Sequence, residues 1–217
     1  MSFIDSTAAT AATHSETLLK ALTERASVPA AALTEPAPTS AALQKAFQAA
    51  MTAPDHKALR PWRFVIIDVD QRLALGDLMV QASIDLAHQK GKQLAESKQA
   101  KIRQKPLRAP LIVAVVMHEQ DNPKVPREEQ LITTGIAAYN FMLALQAQNY
   151  GAVWLSGNYT QHKLLHSGLN LLPNELLLGF LYCGTAKIDL QSLQATRAKH
   201  RRPAEAHVRT WTPATTS

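Results

Sequence analysis

The stretch that opens at Pro126 and runs to about Asn149 constrains the fold more than any other part of the chain. Pro126 sits where a first-turn proline belongs, because its missing N–H is not needed at a helix start, and Gly151 lies just past the far end. The helix predicted between them is the longest element, roughly 35 Å at 1.5 Å per residue. Leu131, Ile132, Ile136, Ala137, Tyr139, Met142, Leu143 and Leu145 wrap around much of its circumference. A surface helix needs only one apolar stripe, so this one is expected to be buried on several sides, and a subunit interface is one way to bury it.

The rest of the chain alternates helical and extended patterns. Residues 1–12 read as a small, Ala/Thr-rich mobile tail. Thr13 and Glu16 have capping-box spacing, and Leu18, Leu19 and Leu22 then give a helical stripe. Pro36 and Pro38 break the chain before Thr39, which is placed to cap a second helix bearing Leu43, Ala46, Phe47 and Ala50. Residues 62–69 are β-branched and aromatic enough for a buried strand, and the polar loop between Pro54 and Pro61 feeds into it. A helical pattern over 71–104, first amphipathic and then strongly basic, ends at Pro106 and Pro110 before a second strand over 111–117. A short strand over 152–155, a small helix opened by Thr160 and a core strand over 176–182 follow. From Lys187 onward the chain is polar and basic, with Trp211 as its only large apolar anchor.

Composition narrows the function classes. At 217 residues, 46% of them hydrophobic, the chain can bury a sizeable core as one domain without disulfides or metal. Its single cysteine, Cys183, follows an apolar run and reads as a small buried hydrophobe, which fits the reducing cytoplasm. The N-terminus lacks the basic opening of a secretory signal, and the longest apolar stretches are strand-sized, so no membrane span is expected. There is no GxGxxG, no P-loop and no HExxH pattern, and no nucleophile elbow supports a hydrolytic triad. His162 and His166 share a helix face, but no third metal ligand accompanies them and no metal site is assigned. A formal charge of +6 favours anionic partners without choosing among them, and the basic run Lys90 to Arg108 reads by itself as a solvated face.

The informative segment is Ala53, Pro54, Asp55, His56, Lys57, leading through Arg60, Pro61 and Trp62 into a strand. With it go Glu35-Pro36-Ala37-Pro38-Thr39, Arg108-Ala109-Pro110-Leu111-Ile112, Val125-Pro126-Arg127, Trp154-Leu155-Ser156-Gly157, and Gly179-Phe180-Leu181-Tyr182 followed by Gly184-Thr185. As an ordered set these motifs resemble the nitroreductase family, within it a small bacterial branch, over residues from about 15 to 186. The resemblance implies an α+β fold: a three-layer α/β/α sandwich with a central mixed, mainly antiparallel sheet and a long central helix at a dimer interface. It implies a domain over 13–186 that binds FMN, with 187–217 as a basic extension of the same domain. Two such chains would form a homodimer holding FMN in the interface.

The site residues follow from the same resemblance. The family's basic segment after the first helix falls on Arg25, Ala26 and Ser27, with Arg25 against the FMN phosphate and Ser27 donating to phosphate or ribityl oxygens. The loop places His56 against the flavin with Thr52 and Lys57 adjacent, while Ala58 and Arg60 stand where the wider family has Asn and Gln. Arg60 could stabilise negative charge on the reduced ring. Trp154, Leu155 and Ser156 would lie along the isoalloxazine, and Lys199 and Arg201 resemble a second phosphate grip. No side chain is assigned as a catalytic acid, base or nucleophile, because flavin N5 would carry hydride from NADH or NADPH to a small electron-poor acceptor. Two other readings stay open: a flavin carrier without turnover, suggested by Ala26 and Ala58, and a basic nucleic-acid-binding protein. The low aromatic content, 6%, weighs against the latter, and neither nucleic acid nor membrane is the expected partner.

Overall fold

The computed structural model describes residues 15–213; the stretch 1–12 and the cap expected of Thr13 lie outside the described residues. Residues 15–23 are helical (α1), with Leu18, Leu19 and Leu22 exposed. There follow β1 (Leu33–Thr34), α2 (Ser40–Ala50), β2 (Trp62–Ile67), α3 (Arg72–His88), α4 (Glu96–Arg103), β3 (Leu111–His118), α5 (Arg127–Ala147), β4 (Gly151–Leu155), α6 (Lys163–Gly168), β5 (Glu175–Ala186) and α7 (Leu190–Ala198).

β3 explains why the molecule is layered. Its seven residues from Leu111 to Met117 are apolar and buried, as a strand covered on both faces requires. Alternation sends Ile112, Ala114 and Val116 to one side, where they pack with Leu75, Met79 and Val80 of α3 and Ile102 of α4. Leu111, Val113 and Val115 go to the other side, against Ala46 and Ala50 of α2 and Ala137, Phe141 and Leu145 of α5. The result is the three-layer α/β/α sandwich. The five-stranded sheet runs β1-β5-β3-β2, with β4 also on β5, and every pairing among the described residues is antiparallel, so the expected mixture of strand directions does not occur within the described chain.

Several expected boundaries move for local reasons. Thr39 caps α2 as predicted, its hydroxyl accepting the Ala42 N–H at 3.2 Å. Pro126 lies just outside α5 as its N-cap rather than in its first turn, and the helix stops at Ala147, because Asn149 at φ 64° supplies the left-handed turn that Gly151 was expected to provide. The helical pattern over 71–104 is broken into α3 and α4 at residues 89–95, where Gly91 takes φ 65°. His162, not Thr160, caps α6, its Nδ1 accepting the Leu164 N–H. α7 is an additional helix, started by the Asp189 carboxylate, which accepts the Gln191 and Ser192 amides. Trp211 does not act as an anchor, being 81% exposed. Cys183 is fully buried in the α5-side core, and burial pushes its thiol well above the ordinary range, so it stays an inert thiol. Among the described residues no helix is long and apolar enough to cross a membrane.

Candidate functional site

The loop joining α2 to β2 is held at both ends by core aromatics. Phe47 of α2, Phe64 of β2 and Phe141 of α5 form a trio with ring centroids 4.8 to 5.9 Å apart, which fixes where the loop leaves and rejoins the core. Between these ends Lys57, Ala58 and Arg60 all take left-handed backbone, at φ 63°, 52° and 50°. For residues with a Cβ that conformation costs about 1–2 kcal/mol each. Asp55 offsets the cost: its two carboxylate oxygens accept the Leu59 and Arg60 amides at 3.1 and 2.7 Å. α5 clamps the same loop, with Thr133 and Thr134 hydroxyls donating to the carbonyls of Pro54 and Pro61, both at 2.9 Å. Strain of this kind persists where the surroundings over-determine it, as at ligand-binding loops.

Side chains of the loop meet α5 as well. His56 Nδ1 lies 3.0 Å from Glu129 Oε2, both half-exposed. The Thr52 hydroxyl donates to Ala49 O at 2.8 Å and accepts from the Asn140 amide at 3.4 Å. Lys57 and Arg60 are exposed.

The segment after α1 docks near the other end of α5. The Ala26 N–H donates to the Gln146 side chain and the Val28 N–H to Ala152 O of β4. That leaves the Arg25 guanidinium 5.9 Å from the Tyr139 ring centroid and donating to the Ser27 hydroxyl at 3.3 Å. The chain beyond α7 returns to the same place, where Arg201 donates to the Arg25 carbonyl at 2.9 Å. Arg25, Ser27 and Arg201 are therefore brought together, and neither arginine has an ion pair among the described residues. Lys199, the C-cap of α7, is exposed and makes no side-chain contact with them.

The third expected segment sits at the end of β4, aimed by an irregularity in β5. Val115 pairs with Gly179 but Val116 with Leu177, so Leu178 is an extra residue that bulges out. Its carbonyl accepts the indole N–H of Trp154 at 3.3 Å. Gly179 takes φ 140°, and a Cβ there would come within 2.6 Å of the Trp154 nitrogen, so only glycine fits beneath the indole. Trp154 is half-buried on the α5 side, while Leu155 and Ser156 project into solvent.

Taken within one chain, these groups stay apart: no hydrogen bond or ion pair among the described residues joins the 25–27 cluster, the 52–60 loop and the 154–156 turn. α5 is what they share. Of the α5 residues that hold the loop and the 25–27 segment, Glu129, Thr133, Asn140 and Gln146 are ones that sequence reasoning passed over, and Tyr139 was read there only as part of the apolar surface. The available signal was polar residues interrupting an otherwise apolar helix. His162 and His166 are engaged locally, His166 Nε2 lying 3.2 Å from Thr160 O and His162 Nε2 3.7 Å from Asp85.

At the β2 end nearest the loop, Arg63 forms a two-pronged pair with Glu175, at 2.6 and 2.5 Å. The Glu175 side chain is 1% exposed and Arg63 40%. Burial, the largest single influence, would raise the carboxyl, but the Arg63 hydrogen bonds, the Leu172 amide and the charges of Arg63 and His118 together hold it below the usual carboxylate range.

Comparisons with known proteins agree with this architecture. The model of the nitroreductase family matches residues 22–185. "Putative NAD(P)H nitroreductase YdjA" of Escherichia coli strain K12 is 36% identical over 159 residues, covering 73% of this chain and 84% of the relative. "Putative NAD(P)H nitroreductase" of Haemophilus influenzae is 32% identical over 154 residues, 70% of this chain and 80% of that protein. Among solved structures, the nitroreductase-like family protein from Bacillus cereus superposes with a TM-score of 0.69 at 23% identity, covering 90% of this chain and 96% of its own. The FMN and NADPH-dependent nitroreductase NfnB from sphigopyxis sp. strain HMH does so with 0.64 at 17%, covering 90% and 98%.

Proposed function

Since the chain belongs to the nitroreductase family of oxidoreductases, in its YdjA-like branch, we propose that it is an FMN-dependent enzyme acting as a homodimer in the cytoplasm, with NADH or NADPH as electron donor and a small electron-poor molecule as acceptor. The observation that carries this reading is the convergence of Arg25, Ser27 and Arg201 beside α5. A dianionic phosphate is costly to remove from water without cationic partners, and two guanidinium groups with a hydroxyl suit it. Lys199, two residues before Arg201 and exposed, is a further cation for the same phosphate. Names of relatives support the cofactors: YdjA is called an NAD(P)H nitroreductase and NfnB an FMN- and NADPH-dependent one.

FMN, when bound, would supply the redox chemistry for hydride transfer between the nicotinamide and the acceptor. This chain's residues bind and orient. Thr52, His56, Lys57 and Arg60 present donors and positive charge from a loop whose backbone Asp55 holds rigid. Ser156 and its neighbouring amides offer donors at the open end of β4, and Trp154, with Leu155 beside it, backs them. Positive charge and amides in these positions would favour negative charge on a flavin held there. The homodimer is supported by apolar surface that one chain leaves uncovered: Ile132 is 62% exposed on α5, with Tyr139 on the same helix and Leu18, Leu19 and Leu22 on α1. With the site's parts held apart within one chain, a second copy is the natural way to complete it.

Replacing Arg25 by Ala tests the reading. The variant should purify partly flavin-free by visible absorbance, whereas unchanged FMN occupancy would remove Arg25 from the phosphate site. The second reading, a flavin carrier without turnover, is favoured by Ala26, which is buried and spends its N–H on Gln146 and so adds no second cation. Anaerobic mixing with NADPH separates the two, because an enzyme bleaches and a carrier stays yellow.

A further inference from the structure

The basic run that sequence alone reads as a solvated face is folded around a cavity. α3, the connection at residues 89–95 and α4 line an open cavity of about 460 Å³, together with Asn158 and Tyr159. Five lysines line it: Lys90 and Lys92 from the connection, Lys98 and Lys101 one turn apart on α4, and Lys105 just beyond that helix. No Asp or Glu lines it, and none of the five has an ion pair among the described residues. Leu86, Leu94 and Ile102 supply an apolar wall.

Lys105 is the innermost of the five charges. Its ammonium lies 4.9 Å from the Tyr159 ring centroid and 3.4 Å from the hydroxyl, a long contact that leaves most of its donor capacity unspent. Burial, and after it the positive charges of Arg108 and Lys98, push Lys105 below the ordinary lysine range. Lys90, Lys92, Lys98 and Lys101 are exposed and Lys105 is half-buried; with no counter-charge in the lining, a multiply charged anion relieves the repulsion among them. Lysines are compact point charges that suit a tetrahedral oxyanion, and a cavity of this size with a leucine and isoleucine wall suits a ligand that also has an apolar or ring-shaped body. Tyr159 stands two residues beyond Gly157, where the turn that carries Trp154 and Ser156 ends, and its ring packs against that glycine. The cavity lies on the α3 side of the sheet, where Tyr159 packs, whereas Trp154 packs on the α5 side, so the cavity shares no residue with the proposed flavin edge.

We propose that the cavity bounded by α3, α4 and Tyr159 is a binding site for a phosphate ester carried on an apolar or ring-bearing body. This goes beyond the oxidoreductase reading and does not depend on it. The phosphate could belong to the nicotinamide co-substrate or to a separate phosphorylated metabolite; both present the same chemistry to the lysines.

Calorimetric titration of the full-length protein as purified, desalted to remove any unbound flavin, tests the proposal with phenyl phosphate as probe and benzyl alcohol as its uncharged counterpart. Phenyl phosphate is expected to bind once per chain and benzyl alcohol not to bind. The double variant Lys98→Met, Lys105→Met should weaken the probe at least about tenfold, as loss of charge-assisted contacts does, with unchanged flavin absorbance. A second pair, Lys90→Met with Lys92→Met, lies outside the helices and gives the same readout should the first fail to fold. Displacement of the bound probe by NADPH would identify the co-substrate as the source of the phosphate; binding that NADPH leaves untouched would identify a separate metabolite. No probe binding at about 1 mM, equal affinity in both double variants, or release of FMN by the probe would each overturn the proposal. A colourless protein that still binds phenyl phosphate through these lysines would sink the flavin reading and leave this one standing.

Discussion

Arg63→Met asks what the buried end of β5 costs when its counter-charge is gone. Glu175 would keep its burial, the Leu172 amide at 2.9 Å and His118 nearby, but lose both guanidinium contacts. Breaking a buried pair from one side costs about 3–5 kcal/mol. The lower end applies, because Arg63 is 40% exposed and the remaining donors still support the carboxylate. In a domain of this size about 3 kcal/mol lowers Tm by roughly 6–12 °C. The pH dependence gives the sharper test. In the native protein Glu175 titrates below its unfolded value, so its contribution is complete above the ordinary carboxylate range and is lost only as pH falls through the depressed value. In the variant burial prevails and raises the group, so the destabilisation is present at neutral pH and is relieved as pH falls through the raised value. Thermal melts followed by circular dichroism, at matched FMN occupancy because bound ligand itself raises Tm, should show a gap that is widest near neutrality and narrows towards about pH 5. Arg63→Lys should recover part of it. A gap that stays constant over that range, or one of less than about 2 °C, would refute this account of Glu175.

Two further expectations follow from the helix that ties the site together. Asp55→Ala removes the acceptor for two amides in a left-handed loop and should cost about 1–2 kcal/mol in denaturant unfolding, with weaker flavin binding in a fluorescence titration; unchanged values would mean that the loop holds its shape without Asp55. Ile132→Glu puts a charge on the exposed face of α5 and should shift the protein to single chains in size-exclusion chromatography with light scattering, whereas an unaltered dimer would place the interface elsewhere.

Local grammar made much of this molecule legible. Thr39 before an apolar helical stripe and seven apolar residues in a row at 111–117 each allow one structure, and both form it. The misplaced boundaries share a cause: a competing residue nearby did the work assigned to another. Asn149 took the left-handed turn expected of Gly151, and His162 the cap expected of Thr160. The basic pattern concealed the break at Gly91, because lysine and glutamine favour helix on either side of it. In the site, motif resemblance reached Arg25, Ser27 and Arg201, whose meeting the structure shows. It could not reach Glu129, Asn140 or Gln146, whose partners lie 73 to 120 residues away in sequence. Such contacts exist only once the layers have packed.

The additional residue at Leu178 is an embellishment the sheet could do without. Leu177 and Gly179 face consecutive residues of β3, so excising Leu178 would leave every other inward and outward assignment of the strand intact. What would vanish is the carbonyl that tethers the Trp154 indole. The strand thus spends one residue on aim rather than on cohesion, and the direction of the open rim beside Ser156 can evolve by insertion or loss at that point while the core beneath it stands unchanged.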